Sequence, residues 1–408
     1  MPLSRAVALL LLVLVAPAHG APRTLKLRFP RVTVPAGGNL EACYFIRRPA
    51  TARFDLGRYT IHHRGVGGSF GVRHFLVYLY GGEQLAAFAQ DAGRVVASRG
   101  CQDLGPADRD RRQLITLGRP LPPGVALPLD PVPDTPGGPP AGIGILLDGE
   151  WVNGDTQPRR ARTVVTLHRA PRRSIRRRLA PILARTAERG LAVAPGAIGS
   201  TETSTAALGL PPDAWGAGLA TDGVPPPAGR ACVVAVTSHL RKRGVLLAVD
   251  RQRAGGAIDN PPDGPRNPFD GRIHLFATRD FTDPGAFVPS PPLALDAGEA
   301  LRYACWHDNG ATNVARQGCE EVAGEPPGRP AAVAGGGPAK PCLVAGPASP
   351  DCPASDSAYP GRSFTGACVE ANLVAGPTPD DEVCALAGFY YDAAPDGGCD
   401  VSGLPPLE

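Results

Sequence analysis

Beyond its first residue the chain has no methionine, so the mature protein would have no thioether to offer a soft metal. Apolar runs are short. Ala6 to Ala16 spans eleven residues, well below the roughly 20 that cross a bilayer as a helix, and no later segment comes closer. No C-x-x-C pair occurs, and the two nearest cysteines are separated by nine residues, which argues against a zinc knuckle. Charge is nearly balanced, 42 basic against 38 acidic residues, so net charge gives no reason to expect a nucleic-acid partner. Gly-rich phosphate loops, a Gly-x-Ser-x-Gly elbow and a His-Glu-x-x-His helix are all missing, which removes the usual local signatures of nucleotide-binding proteins and hydrolases.

What is present begins with a secretory pattern at residues 1–20. Arg5 supplies the positive start, Ala6 to Ala16 the apolar stretch, and Ala18-His19-Gly20 a small-residue cleavage site. The expectation is an exported protein, periplasmic or extracellular, with no transmembrane segment. Its ten cysteines form an even set, and in an oxidising compartment disulfides are the default. A chain of 408 residues exceeds one ordinary core, so two domains are expected.

Short runs rich in Val, Leu, Ile and Tyr are cut by Pro and Gly clusters, the pattern of many short strands. They include Val72 to Tyr80, Ile143 to Leu147, Thr163 to Leu167, Cys232 to Val236, Val245 to Val249 and Ile273 to Ala277. With 51 Gly and 47 Pro, long helices cannot dominate, and the chain is all-β in outline. Residues 171–190 depart from this pattern. They carry Arg172, Arg173, Arg176, Arg177 and Arg178, then Leu179, Ile182, Leu183 and Ala187 at spacings compatible with one helical face. The segment is expected to be a solvated linker with a short helix; the competing reading is a basic patch for a membrane surface or polyanion. It separates domains at 21–170 and 191–400. Within the second, residues 320–357 are rich in Pro, Gly and Ala and poor in large apolar residues, as in a surface insertion that Cys342 and Cys352 could staple.

Four separated stretches, taken in order, resemble the copper type II, ascorbate-dependent monooxygenases, the family of peptidylglycine α-hydroxylating and dopamine β-monooxygenases. The first joins Glu41-Ala42-Cys43-Tyr44-Phe45 to Val72-Arg73-His74-Phe75-Leu76, similar to a Cys-bearing strand followed by Val-His-His-Met-Leu. The second, Ile145 to Asn153, is similar to the strand ending His-Tyr-x-Asn. The third, Val233 to Gly244, resembles the strand carrying His-x-His. The last pairs Ala297 to Asn309 with Asp381-Glu382-Val383-Cys384, similar to a Gly-Asp-x-Leu…Cys-x-Tyr-Asp-Asn element and its Asp/Glu-Glu-Met-Cys partner.

The resemblance implies two consecutive antiparallel β-sandwich domains of jelly-roll type. It also implies bridges Cys43 with Cys101, Cys305 with Cys384 and, less firmly, Cys232 with Cys399, leaving Cys319, Cys342, Cys352 and Cys368 unassigned. In that family one copper is held by three histidines and the other by two histidines and a methionine, and the pair hydroxylates a C–H bond. Of those positions this chain retains His74 and His239, one from each copper site. Arg73, Glu150, Thr237 and Val383 stand at the others, and none is an equivalent ligand. Arg73 and Glu150 could instead pair in the former metal position.

The implied function is that of a ligand-degenerate, non-catalytic binding or structural module without a cofactor, taking a small molecule or peptide in the interdomain cleft. The alternative is an active copper- and ascorbate-dependent monooxygenase with two copper ions, its site rebuilt from His62, His63, His74, His239, His274 or His307. His274 and His307 also fit packed strands, and His168 fits the surface.

Overall fold

Along Arg159–Arg169, Ala161, Thr163, Val165 and Leu167 are buried while the residues between them are partly exposed. This two-residue alternation produces a strand with one face on a core. Repeated along the chain, it builds the architecture of the computed structural model, which is nearly all β. The structure describes residues 23–50, 52–89, 92–97, 112–116, 120–185, 191–205, 230–240, 243–259, 261–280, 284–310, 316–317, 320–321, 364–365, 369–370, 373–374, 382, 384–393 and 397–407. The expected signal segment, Cys101, Cys319, Cys342, Cys352, Cys368, Val383 and most of 320–357 lie outside them.

The first sandwich has two antiparallel sheets. One runs in the order Thr24–Arg28, Arg159–Arg169, Phe54–Arg64, Val125–Leu129, and the facing one in the order Val95–Ala97, Asn39–Pro49, Pro140–Asn153, Phe70–Tyr80, Arg112–Leu114. Between them pack Leu27, Phe29, Leu56, Val77, Ile145, Leu147, Trp151 and Val165. Phe29 meets Trp151 edge to face with ring centroids 5.0 Å apart. Pro140–Asn153 is buried almost continuously rather than alternately. Its inner residues join that core, whereas Leu146 packs on the outer face against Phe45, Tyr80, Leu85 and Phe88. Both faces of this central strand are covered, so polar residues on its outer face are withdrawn from water.

The second sandwich sets the sheet Ala180–Arg185, Cys384–Asp392, Ala231–Leu240, Leu293–Leu295 against the sheet Ala197–Thr205, Ala300–Asn309, Gly244–Gln252, Phe276–Thr278. Val233, Val236, Leu247, Val249, Leu301, Tyr303 and Leu386 fill it. The Cys305–Cys384 disulfide ties one sheet to the other, and Cys232–Cys399 anchors the tail to Ala231–Leu240. Cys43 is also disulfide-bonded.

Two expectations are corrected. No α-helix forms over the described part of 171–190. Arg172–Ser174 makes a single 3-10 turn, Arg177–Arg178 pairs in parallel with Val125–Ala126, and Ala180–Arg185 pairs antiparallel with Ala385–Tyr390. A helical spacing is a local signal, and here a sheet edge supplies a complete hydrogen-bond ladder that it could not anticipate. Pro181 suits an edge strand, where its missing N–H faces away from the ladder. The expected strand Ile273 to Ala277 begins only at Phe276, and Ile273 makes an isolated bridge with Arg266.

The outer face of Ala231–Leu240 and Cys384–Asp392 rests on the first sandwich. Val234, Ala235, Ala387, Phe389 and Tyr391 belong to the same buried cluster as Phe29, Val77 and Trp151. That contact brings the two halves of the candidate site together.

Candidate functional site

His74 on Phe70–Tyr80 lies opposite Glu150 on Pro140–Asn153, and Glu150 lies opposite Glu41 on Asn39–Pro49. Asp148 is two residues before Glu150, so period-two geometry puts both carboxylates on the same, outer face. Four titratable side chains therefore converge on three adjacent strands beneath the second sandwich. Asp148 is almost fully buried, with 3% of its side chain exposed.

The His74 ring is held between carboxylates on both edges. Nδ1 lies 3.3 Å from Glu150 Oε2, while Nε2 lies 3.7 Å from Asp148 Oδ1 and 3.7 Å from Glu41 Oε1. The other oxygen of Glu150 accepts a hydrogen bond from Arg73 Nη1 at 2.9 Å, forming the pair expected from the sequence. Burial alone would depress the His74 pKa, but Asp148 and Glu150, then Glu41, outweigh it and hold the imidazole well above its ordinary value. Burial would likewise raise Glu150, yet His74 and then Arg73 bring its carboxyl below the usual value.

From the second sandwich, His239 approaches with its ring centroid 6.4 Å from that of His74, edge to face. The sequence reading placed these two histidines in separate copper sites; docking of the sandwiches puts them side by side. Thr237, two residues before His239 and buried, donates its hydroxyl hydrogen bond to the Gly285 carbonyl.

These residues do not fit the copper sites that the resemblance implies. At the first, Arg73 brings a cation into the ligand position and its guanidinium already engages Glu150. At the second, Thr237 offers a neutral hydroxyl, which donates to a backbone carbonyl, where an imidazole is expected. A copper centre that cycles between oxidation states calls for imidazole or thioether donors, and carboxylates favour harder ions.

The other histidines do not rebuild the site. His63 projects from the opposite sheet, where Nδ1 is 2.9 Å from Thr163 Oγ1 and the ring meets Phe75. Burial, then neighbouring His62, lowers its pKa. His274 is not on a strand edge but buried in the preceding loop, with Nδ1 2.9 Å from Asp250 Oδ1. His307 is fully buried, its Nε2 4.0 Å from Glu382 Oε2, while Glu382 Oε1 accepts a hydrogen bond from the Arg243 amide. Among the described residues, the one group of three acidic, His or Cys ligand atoms close enough to share an ion is Glu41, His74 and Asp148, all within 4.8 Å of one another. Sequence reasoning missed Glu41 and Asp148. The available signal was the two-residue step from Asp148 to Glu150, which shares its face.

Compared with known proteins, the chain matches no family model and no curated protein.

Proposed function

We propose that this protein is an exported double β-sandwich of the copper type II monooxygenase kind that has lost two-copper redox chemistry and acts as a binding module. The carrying observation is the Arg73–Glu150 pair at 2.9 Å, an ion pair where the resemblance expects two imidazoles. A guanidinium at a copper position repels the metal and engages the carboxylate that stands in the other histidine's place. Secretion is supported by the residue 1–20 pattern and by the disulfides, which persist in oxidising compartments. The ligand of such a module would be a small molecule or peptide at the boundary between sandwiches, where His74 and His239 meet, since domain boundaries are favoured binding places.

The test is to treat the oxidised mature protein with Cu(II), remove unbound metal, and record the paramagnetic resonance spectrum and ascorbate-driven oxygen uptake. The expected result is no uptake above buffer and no signal coupled to several imidazole nitrogens. Two bound copper ions with multi-nitrogen signals, and uptake abolished by His74→Ala or His239→Ala, would establish the active monooxygenase instead.

A further inference from the structure

The Asp148 side chain is buried, and its Oδ1 has no hydrogen-bond partner among the described residues. A buried carboxylate oxygen without a partner is costly, and such an atom in a native fold calls for an explanation, an ion being one. The same holds for His74 Nε2, which is buried, lacks a hydrogen bond among the described residues, and faces Asp148 Oδ1 at 3.7 Å. Glu41 Oε1 faces that nitrogen from another strand at 3.7 Å. Two donors on one zinc-like ion, each about 2.0–2.2 Å from it, lie about 3–4 Å apart, so these separations already suit a shared cation.

The orientation of His74 is that of a metal ligand. A ligating imidazole donates its second ring N–H to a carboxylate, which fixes the tautomer. Here Nδ1 faces Glu150, itself held by Arg73, and Nε2 is directed between Asp148 and Glu41, where a bound cation would take the place of the proton.

We propose that His74 Nε2, Asp148 Oδ1 and Glu41 Oε1 bind one divalent cation of the zinc or manganese class, with Glu150 and Arg73 as positioning residues. One nitrogen and two oxygens suit borderline to hard dications that do not change oxidation state. Three protein donors leave at least one coordination position for water or an oxygen donor on a bound ligand. This rests on the reading that copper redox chemistry has been lost, and gives the binding module a specific inorganic centre.

The test is calorimetric titration of the chelator-stripped, redialysed full-length mature protein with Zn(II) and, separately, Mn(II). The wild type is expected to bind one equivalent of at least one of them. Asp148→Asn and Glu41→Gln, close in shape to the native residues, should each weaken binding by roughly a hundredfold or more. Asp259→Asn, at a surface ion pair remote from the cluster, should leave it unchanged. Circular dichroism of each variant guards against misfolding, and Co(II) substitution adds a spectral readout that should shift in Glu41→Gln if that oxygen is a ligand. Failure of wild-type protein to bind either ion, or affinities unmoved in both folded variants, overturns the proposal. That failure is distinct from failure of the functional reading, which would appear as ascorbate-driven oxygen uptake by copper-loaded protein.

Discussion

At the scale of the residue, His74 is governed by its neighbours more than by its own chemistry. Its imidazole binds a proton more tightly in the folded chain than its ordinary value of 6.5 allows, because Asp148, Glu150 and Glu41 together overcome burial. The stabilisation this gives is complete below pH 6.5 and is lost as pH climbs through the raised folded value. Glu150 acts in the opposite direction: its pKa is lowered from 4.5, so its contribution is complete above pH 4.5 and is lost as pH falls through the folded value. For chelator-treated protein, the cluster therefore contributes most between these two ordinary values. Thermal melts on the alkaline side should show a falling midpoint in the wild type and a flatter profile in His74→Gln. If the variant keeps the wild-type alkaline slope, the histidine is not coupled to the carboxylates. Arg73 and Glu150 were legible as partners because each replaces an expected imidazole. Glu41 and Asp148 were not, since an acidic residue in a strand sequence carries no sign of what will cover it.

At the scale of the element, Pro140–Asn153 does most to organise the site. It pairs with Asn39–Pro49 on one side and Phe70–Tyr80 on the other, so all three site strands are set by its two registers. Its end is fixed by Asn153, which is fully buried. The side-chain amide donates to the carbonyls of Val34, Pro35 and Gln157 at 3.2, 2.8 and 2.9 Å, and Oδ1 accepts from the Asp155 amide at 3.0 Å. Asn153→Ala removes all four contacts of a fully buried side chain, while the Pro35 carbonyl keeps the Gly38 amide as a donor. The expected loss is about 2–3 kcal/mol, read from urea unfolding at constant slope. A change below about 0.5 kcal/mol, the ordinary size for a surface substitution, would show that the strand end is held by other means. The strands themselves were legible as short apolar runs rich in Val, Leu, Ile and Tyr between Pro and Gly clusters. Ala180–Arg185 was not, because its apolar spacing also fits a helix and only its partner Ala385–Tyr390 decides the matter.

At the scale of the whole molecule, two sandwiches share one continuous buried cluster, to which the outer face of the second contributes Val234, Ala235, Phe389 and Tyr391. Domains joined by a large apolar contact lose it together, whereas domains joined by a polar one move and melt separately. Scanning calorimetry of the oxidised protein is expected to give a single cooperative transition. Two resolved endotherms would mean that the shared cluster contributes little to stability.

The sequence by itself determined the all-β character, through short Val-, Leu-, Ile- and Tyr-rich runs and abundant Pro and Gly, and it determined the donor types: carboxylates, imidazoles and a guanidinium, with no thioether after Met1. Those are local properties, carried by each residue wherever it folds. Only the tertiary structure decided that Glu41 and Asp148 stand around His74, that His239 meets His74 from the other sandwich, and that Asp148 Oδ1 is buried. Strand register and domain docking set those proximities. Alternation specifies which face a side chain occupies but not which strand lies beside it or what packs above it.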